Sequence, residues 1–185
     1  MIKTLELLKF DLLMIAGSSL AAVMFRFGFG IRGFKLDGAF LRLLAAVGLF
    51  GLSIGIGSLL LHVPDNFASA FRMYGYVPML FYMIITGVPA EELLFRQVIW
   101  KSLERAIRAP CLIVLLSAVI FGGYHMLFFD KSDFFTLRVL QVPNTILLGL
   151  ALGYSRLRYN SILAPILLHG LYNITSDISV WIGRY

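Results

Sequence analysis

Glu91, Glu92 and Arg96 stand in the stretch GVPAEELLFRQ, His125 in FGGYH, and His169 with Asn173 in HGLYN, each set inside a run of otherwise apolar residues. Carboxylates and imidazoles are the side chains best suited to move protons near neutral pH. An ionisable group near a bilayer centre costs about 2.5 to 3.5 kcal/mol on insertion scales, so each one needs a partner or a task. Glu92 and Arg96 are four apart, one helical turn, which predicts an ion pair that partly neutralises both. Glu91 points about 100° away around the same helix and has no local cation, which makes it the candidate for chemistry. Pro89 removes the usual donor to the Ile85 carbonyl. A break there would put Glu91 in the first turn of a half-helix, where the positive helix end favours a carboxylate.

Phe121 and His125 share a helix face by their spacing of four, and so do His169 and Asn173. Taken alone, a histidine in an apolar helix is a hydrogen-bonded structural residue, and the His169/Asn173 pair could equally be a contact between helices. Depth favours chemistry. Counted from the proposed cytoplasmic ends, Glu91 lies about 15 Å deep, His125 about 22 Å and His169 about 13 Å. Gly122 and Gly123, beside His125, are expected to leave room for a substrate backbone.

The elements that must position these groups follow from hydropathy. Of 185 residues, 59% are hydrophobic and 14% charged, against about a quarter charged in soluble domains. Six candidate spans fall at about Leu7–Phe25, Phe40–Leu61, Tyr76–Trp100, Pro110–Phe129, Val139–Tyr154 and Ser161–Ile182. The fifth is short and holds Pro143, so it is expected to be tilted, partial or shielded by its neighbours. The fold class is therefore all-α, a polytopic membrane helix bundle of about six helices forming a single domain over residues 1–185. An uncleaved membrane helix is preferred over a signal peptide for the first run, because Glu6 and Asp11 interrupt its positive region.

The net charge of +6 is scattered between apolar runs, which excludes a nucleic-acid-binding face and reads as topology anchoring. Arg26, Arg32, Lys35, Arg42, Lys101, Arg105, Arg108, Arg156 and Arg158 fall on one side, against Lys3, Lys9, Arg72, Lys131, Arg138 and Arg184 on the other. That bias puts both termini outside the cytoplasm. Cys111 is the only cysteine, so no internal disulfide can form, and it reads as a small apolar residue at a helix start. Gly28, Gly30 and Gly33 match G-x-G-x-x-G but lack the flanking strand and helix of a dinucleotide site, and read as a flexible connector.

Glu91, Glu92 and Arg96 match EExxxR, Phe121 and His125 match FxxxH, and His169 and Asn173 match HxxxN. Three such motifs, in this order on successive apolar helices, resemble the CPBP family of CAAX proteases and bacteriocin-processing enzymes, also called type II CAAX prenyl endopeptidase-like or Abi. The resemblance covers about residues 76–173. Gln97 departs from it, since many members have glycine after the arginine.

The resemblance implies an intramembrane protease, an integral multi-pass protein of a prokaryotic cell membrane, with the lipid bilayer and a protein or peptide substrate as its partners. The residue types suit that task independently. Glu91 would be the general base, His125 would position the water, and His169 and Asn173 would stabilise the oxyanion, with Glu92, Arg96 and Phe121 as structural support. Glu91, His125 and His169 are also the ligand types of a catalytic zinc site with an open position. A glutamate-type mechanism with no required cofactor is the preferred expectation, and a metallo-endopeptidase with zinc the variant. The alternatives are a transporter or ion or proton relay, which would use the same groups at mid-depth, and a non-catalytic membrane immunity or partner protein.

Overall fold

The computed structural model describes residues 9, 12–19, 34–60, 76–128 and 135–177, and the regular structure among them is helical throughout. Of the first expected span, residues 9 and 12–19 are helical and the remainder lies outside the described residues. The G-x-G-x-x-G match and the end of the sixth expected span also lie outside them.

Helix α1 (Gly38–Leu60) starts where the Asp37 carboxylate accepts the Phe40 N–H at 2.7 Å, satisfying one of the donors a helix start leaves unpaired. Its buried face is Phe40, Val47, Gly48, Gly51 and Gly55, while Leu41, Leu49, Ile56 and Leu60 are exposed. Glycines where backbones meet and large aliphatics on the opposite face are what a hydrocarbon solvent selects. Among the described residues, α1 is the one helix both long and apolar enough to cross a membrane as a single regular element.

From Tyr76 to Ala106 the chain stays helical while its hydrogen-bond step changes. Helix α2 (Tyr76–Tyr82) runs into a π segment, π1 (Met83–Gly87); α3 (Val88–Glu92) follows, then π2 (Leu93–Ile99) and α4 (Trp100–Ala106). The break expected at Pro89 does not occur. The Val88 N–H reaches back five residues to the Met83 carbonyl, and the Thr86 hydroxyl donates to the Tyr82 carbonyl at 2.7 Å. A widened turn thus absorbs the mismatch that proline introduces into the ladder. Because α3 continues helices on both sides, Glu91 has no free helix end beside it, and the expected helix-end potential is absent.

Helix α5 (Pro110–Tyr124) opens with proline at its first turn, where a missing N–H costs nothing, and tightens into a 3-10 turn (His125–Phe128). Helix α6 (Phe135–Tyr159) is 25 residues long, so the fifth expected span is longer than its hydropathy suggested. Pro143 lies inside it, and the Thr145 hydroxyl donates to the Gln141 and Val142 carbonyls at 3.0 Å, adding bonds where the proline weakens the ladder. Helix α7 (Leu163–Ser176) begins where the Ser161 hydroxyl accepts the Leu163 N–H at 3.2 Å.

The chain divides into two compact units. The first holds Met1–Gly17, Leu36–Glu91 and Ile166–Tyr185. In it α1 packs on α7 through glycine: Gly48 lies against Leu171, Gly51 against Thr175 and the Tyr172 carbonyl, and the Phe50 and Tyr172 rings meet at 5.7 Å. The second holds Ser18–Lys35 and Glu92–Pro165. There α5 and α6 run antiparallel in close contact, Val114 against Gly153, Ala118 against Gly149 and Gly122 against Ile146.

Candidate active site

The predicted ion pair forms. Arg96 Nε stands 3.4 Å from Glu92 Oε2, with both side chains fully buried in the second unit. That separation is an ion-pair contact, longer than the 2.7–2.9 Å usual for a charge-assisted hydrogen bond. The guanidinium has further partners: Nη2 donates to the Gly149 carbonyl at 3.3 Å, and Cζ lies 4.6 Å from the centroid of the buried Phe121 ring. A Cβ at 149 would crowd Ala118 of α5, so glycine allows the two helices to approach closely at this point. A buried cation is held here by a carboxylate, a backbone dipole and an aromatic face, which together offset its desolvation.

Phe121 also fixes His125. The two rings are edge to face at 4.8 Å, and His125 Nδ1 lies 2.8 Å from the Phe121 carbonyl oxygen. The helix ends at this point, and the His125 backbone N–H turns to the Gly123 carbonyl, so the ring nitrogen meets a carbonyl that a continuing helix would have used. A carbonyl only accepts, so in this contact Nδ1 carries the proton. In the neutral ring Nε2 is then an acceptor.

The first unit brings two more of the predicted residues together. Glu91 Oε2 lies 3.7 Å from His169 Nε2, with the glutamate side chain 23% exposed and the histidine 5%. The contrast with Glu92 is the informative one, since adjacent carboxylates are respectively half-buried beside an imidazole and sealed beside a guanidinium. Asn173 lies one turn beyond His169 on α7 and is half-buried. The three zinc-ligand types are divided between the units, Glu91 and His169 in one and His125 in the other. Among the described residues no group of three His, Cys, Asp or Glu side chains is placed to hold a metal ion.

Residues 73–175, more than half of the chain and enclosing all three motifs, match the family model described as type II CAAX prenyl endopeptidase Rce1-like. The chain belongs to this family. No curated protein and no solved structure matches it. Membership in the Rce1-like family makes the protein a member of a membrane-embedded group of endopeptidases.

Two features of the Rce1-like region escape sequence reasoning. Gly122 does not leave room for a substrate, because a Cβ there would meet the Ile146 side chain and, at 3.1 Å, the Val142 carbonyl; Gly123 does face open space. Arg156, read with Arg158 as a topology anchor, is only 2% exposed. Nothing in the alternation of RLR distinguishes the buried arginine from its neighbour, because the difference is made by a partner sixty residues away.

Proposed function

We propose that the protein is a multi-pass intramembrane endopeptidase of a prokaryotic cell membrane that hydrolyses a peptide bond near the C-terminus of a membrane-associated protein or peptide. The observation that carries this reading is the Glu91–His169 pair: a partly exposed carboxylate 3.7 Å from an imidazole, inside the family-matched region. At that separation one water can lie within hydrogen-bond reach of both groups. Its oxygen attacks the scissile carbonyl carbon while its proton passes to Glu91. His169, with Asn173, donates to the oxygen that gains negative charge. His125 keeps the water-positioning role that the family resemblance implies; within its own unit, its Nε2 is an acceptor once Nδ1 is committed to Phe121. When the tetrahedral intermediate collapses, the carbon–nitrogen bond breaks and the proton on Glu91 goes to the leaving amine.

The long apolar faces of α1, the Tyr76–Trp100 run, α5 and α6, added to the first and last apolar stretches of the sequence, support six spans. Glu91→Gln keeps the shape of the side chain and removes the base. Mass spectrometry of C-terminal peptides from membranes expressing the wild type should reveal shortened C-termini that are missing with Glu91→Gln. Identical sets of C-termini would sink the proteolytic reading and return the transporter and the non-catalytic partner to consideration.

A further inference from the structure

A charge of several kcal/mol desolvation cost is not buried without compensation, yet Arg156 is 2% exposed while Arg158, one turn fraction away, is in solvent. Its bonds are specific. Nε donates to the Arg96 carbonyl at 3.1 Å, Nη1 donates to Asn160 Oδ1 at 2.9 Å, and Cζ lies 6.0 Å from the centre of the buried Trp100 ring. Asn160 is the one described non-glycine residue with positive φ, at 45°, a conformation that asparagine tolerates better than most residues. Trp100 is anchored in turn, its Nε1 donating to Glu104 at 2.7 Å. All of these residues lie in the second unit.

The Arg96 carbonyl is a particular target. In an α-helix it would take the Trp100 N–H, but in π2 that N–H is directed to the Phe95 and Gln97 carbonyls. Arg156, reaching over from α6, donates to that carbonyl and so ties a side chain of one helix to the backbone of the wide turn in another. The register of π2 decides where the Arg96 side chain points, Arg96 holds Glu92, and Glu92 is bonded to Glu91 along the chain.

We propose that Arg156 is a positioning residue for the reaction: by donating to the Arg96 carbonyl it locks the π register of residues 93–99 and so the placement of the Glu91–Glu92 pair. This rests on the proteolytic reading above for its kinetic consequence but not for its structural one. Lysine keeps the charge and loses the fork that reaches Arg96 and Asn160 together. Asn160→Gly suits the positive φ and removes only the second contact.

The test uses the full-length protein in detergent. In Arg156→Lys, amide hydrogen exchange in peptides covering 93–101 should quicken while peptides in α1 keep the wild-type rate. Per folded molecule, kcat should fall on the order of 10- to 100-fold, as for misplaced catalytic groups, with KM within about twofold and a shifted acid limb of the kcat–pH profile. Asn160→Gly should move each readout the same way by less. It also carries the test if Arg156→Lys does not fold. Unchanged exchange at 93–101 overturns the proposal whatever the activity, and so does faster exchange with wild-type kcat and pH profile. If no Glu91-dependent cleavage exists in the wild type, the proteolytic reading has failed and the exchange result alone decides whether Arg156 locks π2.

Discussion

Glu91 and Glu92 are chemically identical, adjacent in sequence, and placed in environments that assign them opposite uses. Glu92 is fully buried against Arg96, and removing one partner of a buried ion pair costs about 3–5 kcal/mol because the other charge is left uncompensated. Glu92→Gln should therefore lower the midpoint of unfolding in a mixed-micelle denaturant titration by an amount of that order. Glu91→Gln should leave that midpoint nearly unchanged and reduce turnover by about 10²–10⁴-fold. A second acidic residue gives a pH signature. Burial pushes the Glu104 carboxyl up, but hydrogen bonds from Lys101 and Trp100 outweigh it and hold the group below its ordinary 4.5. A depressed carboxyl contributes stability above the unfolded value, which is lost as pH falls through the lower folded value. With Trp181→Phe leaving Trp100 as the reporter, emission should shift on acidification below 4.5, and Glu104→Gln should remove that shift. Spacing alone was enough to read the Glu92–Arg96 pair, because one helical turn fixes both members. The pairing of Glu91 with His169 joins residues 78 positions apart in the first unit, and no local pattern encodes it.

Glycine decides how closely the elements approach. Gly122 is in contact with α6 and Gly123 is not, although the sequence presents them as equivalent. Adding one methyl at 122 overpacks the α5–α6 contact and should cost about 1–3 kcal/mol, read as a lower Tm in detergent. Alanine at 123 meets no atom within 4 Å, and replacing a helical glycine should raise stability by up to about 1 kcal/mol. If substrate passes this open face beside His125, Gly123→Ala should raise KM with Tm kept or increased. A Tm loss as large as that of Gly122→Ala would contradict the assigned packing. The helices themselves were legible from apolar length, but their internal geometry was not. Proline signalled an irregularity at 89, and whether the chain answers with a break or a wider turn depends on what else can donate, here the Val88 amide and the Thr86 hydroxyl.

For the molecule as a whole, the proposed six-span reading together with the charge bias predicts the connector before α5 on the cytoplasmic side and both termini on the other. Cys111, the single cysteine, is exposed in the first turn of α5 and so reports this arrangement without any engineering. A membrane-impermeant maleimide should label it in inverted vesicles and not in intact cells. Labelling of intact cells would reverse the orientation and move the active site's access to the opposite face. The family is legible in the three motifs, because three short patterns in order leave few alternatives. The division into two compact units, with α7 running from one into the other, leaves no trace in hydropathy, since both units use the same apolar residues.

The two π segments carry a consequence for how the gene tolerates change in length. Each wide turn holds one residue more than an α-turn requires, so deleting a single codon within 93–99 can be healed by the backbone into an ordinary helix with a full ladder. The span would remain apolar and long enough, and such a protein should still insert. A codon lost among residues 93–95, however, would bring Glu92 and Arg96 from four residues apart to three and disturb their buried ion pair, whereas one lost among residues 97–99 leaves that spacing as it is. A deletion of one residue among 93–95 should yield a protein that still inserts but has lost activity, whereas most internal deletions in a packed helix yield no protein at all.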